Sequence, residues 1–535
     1  MGDATQNPPR RRLSGLAVPA LLAIAVALFY WIPLTSQTAS IQWDAADIHY
    51  PLQKYLADRI HTGKLPFWTP YVFSGYPLLA NPKTGAFYPA NWPFLLAGIR
   101  PRSIEYELAL NAFLACLGAY YFFRRLKFRE SAAVFGALLY GLSGYFAAHS
   151  SHVGLFCAAA CFPWVLVAYR RALESAGLRN TALGAAAGGC MYLTGGVQAA
   201  VFGFVGLGLL ALADLMYSSA RRTRILFVAG GMLGLSLALT AVQSLPALEL
   251  SRYAVASPDY SSGLLRPKAL LTLVYPDAYG VISGTDKERI TEHYYYSGIL
   301  LLPLAAIGLC KTKYRREALF LIVPLLWYMF GKSAGLYFAG VAIPGLQTGP
   351  PVVGWFVLGL GLAIAAAAGA EWLSENWNIS YLTAVLAILV FADVFYWNSY
   401  RNPLAYARDG FEKLYGSVET MAKAAVARPQ LPLSRFESPT YLSGLGPMLH
   451  PLDMKFETSY GYLTGEPRTY AEYRAAMLHN PKLRSGLNVS RFLNLSTMAI
   501  DVNADVLPRA YFPRAIEDVS SEAESRRALE TLDPL

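Results

Sequence analysis

Two carboxylates beside a histidine are the first residues of this chain with a pattern suited to chemistry. Asp44 and Asp47 lie in the stretch "QWDAADIHYP", directly after a long apolar run. In a helix that starts here, residues three apart share a face, so both acids reach one hydroxyl group or one cation. Partial shielding by aromatic neighbours such as Trp43 and Tyr50 favours a general base. The same spacing equally suits acids that cap or solvate a surface helix.

The composition indicates that a lipid bilayer surrounds much of the chain. Of 535 residues, 55% are hydrophobic and 15% are charged, and the mean hydropathy is +0.33, which is typical of polytopic membrane proteins. The formal net charge is +10. The basic residues responsible fall in short clusters between apolar runs, at 10–12, 124–129, 170–179, 221–224 and 311–316. Such clusters are typical of cytoplasmic loops, so they give no support to nucleic-acid binding.

Eleven apolar runs are candidates for membrane spans in a helical bundle. They cover about 13–34, 104–123, 131–148, 153–170, 181–195, 198–216, 225–247, 296–310, 317–331, 351–370 and 380–398. If the N-terminus is cytoplasmic, every basic cluster falls on the cytoplasmic side. The first run is longer than the apolar core of a typical signal peptide, so we interpret it as an uncleaved span. One long tilted helix over 181–216 stays open as the alternative to two spans.

This topology divides the chain into two domains. Residues 1–399 form a transmembrane domain with extracytoplasmic loops at 35–103 and 248–295, and residues 400–535 form an extracytoplasmic C-terminal domain. The fold class is a polytopic α-helical membrane protein of about eleven transmembrane helices with a small α+β C-terminal domain. The five cysteines lie in or beside apolar segments, so neither a disulfide framework nor a zinc site is predicted.

The first loop contains a segment that is both rigid and aromatic. In "GKLPFWTPYVFSGYP" the prolines fix the backbone, while side chains such as Trp68 and Tyr76 offer flat apolar faces. This composition predicts an ordered loop at the membrane interface rather than a disordered linker. Interfacial anchoring explains most of these aromatic residues individually.

The order of these motifs resembles the bacterial YfhO-type membrane proteins of the glycosyltransferase C superfamily. The acid pair is followed by G-x-x-P-x-W-x-P-x-x-x-x-G-x-P at Gly63 to Pro77 and by "FYPANWPF". Downstream pieces continue the resemblance through "LVYPDAYG", "YYYSGILLLPLAAIGL", "IPGLQTGPPVVGWF", "LNVSRFLNL" and "LPRAYFP". The resemblance spans nearly the whole chain, and the Pro/Trp/Gly block is its most specific part.

The resemblance implies transfer of a sugar from a polyprenyl-phosphate carrier to a cell-envelope glycan or glycopolymer, on the outer face of the cytoplasmic membrane. In that superfamily an aspartate of the first loop is thought to deprotonate the acceptor hydroxyl. Asp44 is the first candidate for this base and Asp47 the second. The candidates for substrate binding are His49, Tyr50, Trp68, Tyr76, Arg252, Arg266, Lys268, Asp277, Glu292 and His293.

The chain departs from such proteins in two places. It reads "LQTGPPVV" where arginines often follow a Pro-Gly turn, so a phosphate partner is expected among Arg252, Arg266, Lys268 and Lys332. Relatives also run well past the "LPRAYF" piece. We therefore expect either a reduced terminal domain or a reading frame that ends early.

No cofactor is predicted with certainty, and a divalent cation stays open. His149 and His152 in "HSSH" are a candidate metal pair, but two histidines without a third ligand are more often polar turn residues. A lipid or glycan transporter is the main competing function, although transporters usually carry ionisable residues at the bilayer midplane, whereas here they cluster at the outer surface. A non-catalytic envelope assembly protein is the third alternative.

Overall fold

The computed structural model describes most of the chain. The described residues are 15–175, 177–217, 222–255, 264–278, 293–346, 349–401, 406–407, 409–410, 413, 434–438, 448–494, 496–497, 499–516 and 518–535.

Helices form the bulk of the described structure, and those before residue 400 are mostly apolar. They are α1 (Ala17–Phe29), α2 (Trp31–Thr35), α3 (Tyr50–His61), α4 (Trp92–Ala97), α5 (Ser103–Arg125), α6 (Glu130–Gly141), α7 (Gly144–Ala148), α8 (Val153–Glu174), α9 (Leu178–Leu193), α10 (Val197–Tyr217), α11 (Arg222–Leu239), α12 (Ala241–Tyr253), α13 (Leu301–Lys311), α14 (Arg315–Met329), α15 (Trp355–Asn376) and α16 (Leu382–Val394). Two π turns, Ala45–His49 and Phe395–Arg401, and several 3₁₀ turns connect them.

Seven helical stretches among the described residues are long and apolar enough to cross a bilayer. They are Ser103–Arg125, Glu130–Ala148, Val153–Glu174, Val197–Tyr217, Arg222–Leu239, Pro351–Asn376 and Leu382–Arg401. The other four predicted spans coincide with the shorter helices α1, α9, α13 and α14, which have 11 to 16 residues. Membrane crossing by these four, and hence a total of eleven, stays a prediction.

The segment 181–216 is two helices rather than one. Between α9 and α10 the chain turns at Gly195, whose φ is +88°. A left-handed backbone breaks a right-handed helix and is readily adopted by glycine. Close contact of Gly195 with the backbone of Pro82 and Lys83 leaves little space for a side chain there. The structure thus agrees with two separate apolar segments in this region.

Four of the five basic clusters meet at one end of the bundle. Arg125 forms an ion pair with Glu174 at 2.7 Å, and Arg224 donates a hydrogen bond to the carbonyl oxygen of Glu174 at 3.5 Å. Tyr314, which lies within the last cluster, donates to the carbonyl oxygen of Leu126 at 2.9 Å. The fifth cluster lies outside the described residues. Since α5 and α8 end here, the first loop lies at the opposite end.

The C-terminal domain has the small α+β fold that the sequence predicts. Its strands β1 (Arg435–Glu437), β2 (Val489–Asn494) and β3 (Ala499–Val502) form a sheet in the order β1-β2-β3, with β1 parallel and β3 antiparallel to β2. Its helices are α17 (His450–Met454), α18 (Arg468–Ala476), α19 (Leu483–Gly486) and α20 (Glu522–Thr531). The domain boundary at residue 399 stays a prediction.

Glycines allow α13 and α15 to approach each other closely. A Cβ atom on Gly308 would overlap the carbonyl oxygen of Ala365, and one on Gly369 would overlap the carbonyl oxygen of Leu304. Small residues at such crossings let backbones pack directly, which is a main source of helix association in membranes. This contact therefore helps to fix the core of the bundle.

Alanine substitution at two helical glycines should have opposite effects on stability. Gly308→Ala should destabilise the protein by about 1–3 kcal/mol, because the obstacle is backbone that cannot rotate away. Gly208→Ala on α10, where no atom lies within 4 Å of the new Cβ, should be neutral or stabilise by about 0.5–1 kcal/mol. Thermal unfolding in detergent checks both variants, and equal melting temperatures for the two would contradict the close packing.

Candidate active site

Asp44 lies at the start of an irregular turn. The chain leaves α2 and enters the π turn Ala45–His49 directly after Asp44. The preceding residue, Trp43, has a φ of 57°, a left-handed conformation that bulky residues avoid. The carboxylate of Asp44 is half-buried, and among the described residues it makes no capping hydrogen bond to the turn. The structure therefore does not show the capping role that the spacing left open for this acid.

The π turn separates the two acids. Residues three apart share a face of an α-helix, but the wider π turn changes that alignment. The charge of Asp44 acts on Lys83 and His152, whereas the carboxylate of Asp47 lies 3.4 Å from the ring of His450 in the C-terminal domain. The two acids, expected to reach one group, thus have different partners.

The beginning of α5 holds the chain that leads to Asp44. Arg102 donates hydrogen bonds to the carbonyl oxygens of Leu34 at 3.0 Å and Ser36 at 2.9 Å. Glu105 accepts a hydrogen bond from the backbone N–H of Ile41 at 3.2 Å. A hydrogen bond to a charged group contributes about 1.5–3 kcal/mol, so Arg102 in particular fixes this segment against the bundle.

His49 faces the same helix. Its Nε2 atom lies 2.9 Å from the carboxylate of Glu107, and both side chains are buried. Asn111 donates to the carbonyl oxygen of Glu107 at 2.9 Å and accepts from the hydroxyl of Tyr88 at 2.6 Å. The ring of His49, a predicted substrate ligand, therefore lies in a buried polar network that joins the first loop to α5.

A second turn of the first loop brings a lysine to the site. Asn81 caps the 3₁₀ turn Pro82–Thr84 by accepting a hydrogen bond from the backbone N–H of Lys83 at 3.0 Å. Gln53 of α3 donates to the carbonyl oxygen of Thr84 at 3.0 Å. These contacts connect the turn that carries Lys83 to the helix that follows Asp47.

The charges of Lys83 and Asp44 interact. The side chain of Lys83 is exposed to solvent, yet burial lowers its pKa, and the negative charge of Asp44 opposes that shift. Lys83 thus remains accessible to water, while the surrounding protein disfavours its charged form. Asp44 lies close enough for its charge to act on Lys83.

His152 completes this group of titratable side chains. It immediately precedes α8 and is half-buried. Burial lowers its pKa, while Asp44 raises the pKa and Lys83 lowers it further. The charges of all three residues therefore interact, and we refer to Asp44, Lys83 and His152 as the outer cluster. It lies at the end of the bundle opposite the basic clusters.

His149 lies behind His152 and is buried. Its Nδ1 atom lies 3.0 Å from the carbonyl oxygen of Tyr145, and its ring stacks on that of Tyr145 with centroids 4.2 Å apart. Burial and the neighbouring His152 lower its pKa to about 3, so its imidazole is neutral near pH 7. Among the described residues, no group of three or more His, Cys, Asp or Glu is arranged to hold a metal ion.

The Pro/Trp/Gly block of the first loop contacts the C-terminal domain. Tyr76, predicted to bind substrate, is fully buried and donates to the carbonyl oxygen of Thr464 at 2.7 Å. Ser74 shares a hydrogen bond of 2.9 Å with the hydroxyl of Tyr470. Trp68 is 56% exposed and packs on Gly75. The predicted interfacial loop is thus ordered. Its buried side chains form hydrogen bonds with the C-terminal domain.

The cations predicted to meet a lipid phosphate lie on the surface. Arg252, Arg266, Lys268 and Lys332 all have exposed side chains. His293 is buried, and burial together with the charge of Arg266 lowers its pKa to about 4. Arg266 and His293 are therefore neighbours, whereas no interaction with the outer cluster is observed for these cations among the described residues.

The remaining predicted ligands are placed as follows. Tyr50 is buried, and its pKa is raised by burial and by the charges of Asp453 and Asp58. Asp277 lies 3.8 Å from Arg401. Glu292 lies outside the described residues.

The architecture was compared with solved structures and known families. No protein-family model matches the sequence, and no curated protein matches it significantly. The arabinofuranosyltransferase AftD from Mycobacteria is similar in structure, with a TM-score of 0.50 and 16% identity over 80% of this chain. A mutant of AftD gives a TM-score of 0.55 and 15% identity over 90% of the chain. The protein has a glycosyltransferase C fold.

The extent of these matches limits what they convey. The chain covers 29% and 36% of the two AftD structures, so it spans about a third of their length. ArnT from Cupriavidus metallidurans, solved with undecaprenyl phosphate, gives a TM-score of 0.46 and 11% identity over 83% of this chain and 86% of its own. This third likeness is below the level at which a shared fold is established. The similarities to AftD show the fold of this membrane protein and not its substrates.

Sequence reasoning missed Lys83 as a member of the site. The residue lies in "NPKTG", where Asn-Pro and Gly mark a turn. Nothing in that signature connects the turn to Asp44, because their proximity depends on how the whole first loop packs on α3 and on the Thr194–Gly196 turn. The sequence identifies His152 only as half of a candidate metal pair.

The coupling between Asp44 and Lys83 can be measured chemically. In Asp44→Asn the opposing charge is lost, so the pKa of Lys83 should fall further and a larger fraction of its amine should be neutral. Its acylation by an amine-selective reagent at neutral pH should become faster, as read by mass spectrometry. Exposed Lys64 in the same loop should react at an unchanged rate. Slower or unaltered labelling of Lys83 would contradict the coupling of the two charges.

Proposed function

We propose that this protein is a membrane glycosyltransferase that moves a sugar from a polyprenyl-phosphate carrier to a cell-envelope acceptor, with Asp44 as the general base. The observation that carries the proposal is the electrostatic interaction between an acid and an ammonium group of the first loop, Asp44 and Lys83, in a glycosyltransferase C fold. The motif order resembling YfhO-type proteins supports the same assignment.

The proposed orientation follows from the distribution of charge. Lys- and Arg-rich loops are retained on the cytoplasmic side of membranes. If the four basic clusters that meet at one end of the bundle are cytoplasmic, then the first loop, the outer cluster and the C-terminal domain face the opposite side. The reaction then takes place on the outer face of the cytoplasmic membrane, where lipid-linked donors and envelope acceptors meet.

In the proposed reaction Asp44 and Lys83 have separate roles. Asp44 accepts the proton of the acceptor hydroxyl while the hydroxyl oxygen forms a bond to the anomeric carbon of the sugar. The bond from that carbon to the carrier phosphate breaks, and the phosphate leaves with the electron pair. Lys83 stabilises the negative charge that develops on the phosphate, which is most effective where water is limited.

Lys83 thus supplies the phosphate partner that the "LQTGPPVV" segment lacks. An ammonium group whose pKa is lowered by burial gains from the approach of a second anion, since the added negative charge favours the protonated form. Arg252, Arg266 and Lys268 stay secondary candidates for contacts with the carrier. Trp68, exposed beside this loop, is suited to contact the sugar or the membrane surface.

Asp44→Asn should abolish most of the turnover without unfolding the protein. General-base assistance contributes about 10²–10⁴ in rate, equivalent to about 3–5 kcal/mol, and kcat should fall by this factor. The matched control is Asp518→Asn, which removes a carboxylate charge at an exposed position of the C-terminal domain and should change activity little. The assay supplies purified protein with polyprenyl-phosphate sugars and envelope glycan acceptors.

Two results would count against this proposal. One is undiminished transfer by the Asp44→Asn variant, which would rule out Asp44 as the general base. The other is the absence of transfer by the wild-type protein with every donor, which would favour the transporter or assembly alternatives.

Lys83→Met should weaken use of the lipid-linked donor. Loss of one charged contact to phosphate costs about 1.5–3 kcal/mol, so kcat/KM for the donor should fall by about 10–100-fold while KM for the acceptor is retained. Lys64→Met removes a charge from the same loop at an exposed position and should behave as wild type. Equal loss of activity in both variants would indicate a general electrostatic effect instead of a phosphate contact.

A further inference from the structure

The C-terminal domain is attached to the turn that carries the acid pair. The backbone N–H of Leu449 donates to the carbonyl oxygen of Asp47 at 3.3 Å. The next residue, His450, places Nε2 3.4 Å from the carboxylate of Asp47. Lys455, at the end of the same short helix, forms an ion pair of 3.1 Å with Asp58 of α3. Backbone, side chain and surface charge thus join α17 to the first loop.

His450 lies between two carboxylates and is inaccessible to solvent. Its ring is 0% exposed. Nδ1 lies 3.6 Å from Asp453 on its own helix, opposite the contact of Nε2 with Asp47. Burial lowers the pKa of His450, but the interactions with Asp453 and Asp47 outweigh burial and raise the pKa above its usual value. A protonated imidazole in this position attracts both acids.

The turn bearing Asp44 needs such external support. Its entry residue, Trp43, adopts a left-handed backbone, which costs about 1–3 kcal/mol and persists only where the surroundings hold it. The membrane domain supplies contacts before the turn through Arg102 and Glu105. After Trp43, the contacts of Asp47 with Leu449 and His450 hold the turn from the other side.

We propose that His450 is a positioning residue: through Asp47 it fixes the π turn that presents Asp44, so that the docked C-terminal domain is an integral part of the active site. The proposal rests on the function proposed above for its catalytic consequence. Its structural part, the restraint of residues 44–49 by His450, holds independently of which reaction the protein catalyses. In this proposal Asp47 binds the C-terminal domain, and Asp44 accepts the proton of the acceptor hydroxyl.

The test compares hydrogen–deuterium exchange of the π turn in full-length variants in detergent. The amides of Ala46 and Asp47, which bond to the carbonyl oxygen of Trp43, are the reporters. His450→Phe, which keeps volume but removes the polar contacts, should raise their exchange rate by about tenfold or more. His450→Gln, whose amide can donate to Asp47, should restore much of the protection. The control is His479→Phe at an exposed position of the same domain.

A second variant guards against misfolding of the domain. Asp47→Asn disrupts the contact from the membrane-domain side and should show the same faster exchange. The Asp47→Asn, His450→Phe double variant should be no worse than either single variant, because both remove one interaction. Unchanged exchange in both single variants, or additive defects in the double variant, would overturn the proposal.

Kinetics separate this proposal from the function on which it rests. In active preparations, His450→Phe should lower kcat by about tenfold while KM for the lipid donor is retained, since Lys83 is untouched. Faster exchange with unchanged kcat would refute the positioning role and leave the enzymatic assignment intact. If the wild-type protein transfers no sugar but the π turn still exchanges faster in the His450→Phe variant, the restraint is supported and the proposed function is refuted.

Discussion

The electrostatic interaction between Asp44 and Lys83 is the constraint on which the first loop is organised. Burial disfavours the ammonium form of Lys83, and the carboxylate of Asp44 opposes this effect, because opposite charges attract more strongly where water is scarce. Backbone contacts of the surrounding chain position both residues. Asn81 fixes the backbone of Lys83, and the contacts of α5 fix the chain that leads to Asp44. The site is therefore a property of how the first loop is folded.

Rigid elements on two sides of the first loop allow an irregular segment to hold Asp44 in one orientation. The membrane bundle offers a firm base, since direct backbone packing at Gly308 and Gly369 joins α13 and α15. The C-terminal domain covers the other side through Tyr76, Ser74 and Asp47. A loop between two such bodies can keep a strained residue such as Trp43 and still present Asp44 in one orientation. The sheet domain thus contacts the same loop that carries Asp44 and Asp47.

Much of the membrane domain was predictable, because the bilayer imposes a length and polarity on each helix. The apolar run predicted at 198–216 corresponds to α10 (Val197–Tyr217), and the run at 351–370 corresponds to α15 (Trp355–Asn376). Apolar composition misled at 296–310, where the helix begins only at Leu301. The hydroxyl of Tyr296 and the backbone N–H of Ile299 bond to Asp393 instead. Such long-range hydrogen bonds leave no trace in local hydropathy.

By itself the sequence determined the apolar spans, the basic clusters at one end and an acidic, aromatic loop at the other, since each of these is a property of neighbouring residues. The tertiary structure alone decided that the charge of Asp44 acts on Lys83 and His152, while Asp47 lies beside His450. Spacing of three residues predicted a common face, but the π turn and the docking of a distant domain gave the two acids separate surroundings. Interactions between segments tens to hundreds of residues apart arise from packing, and no local pattern encodes them.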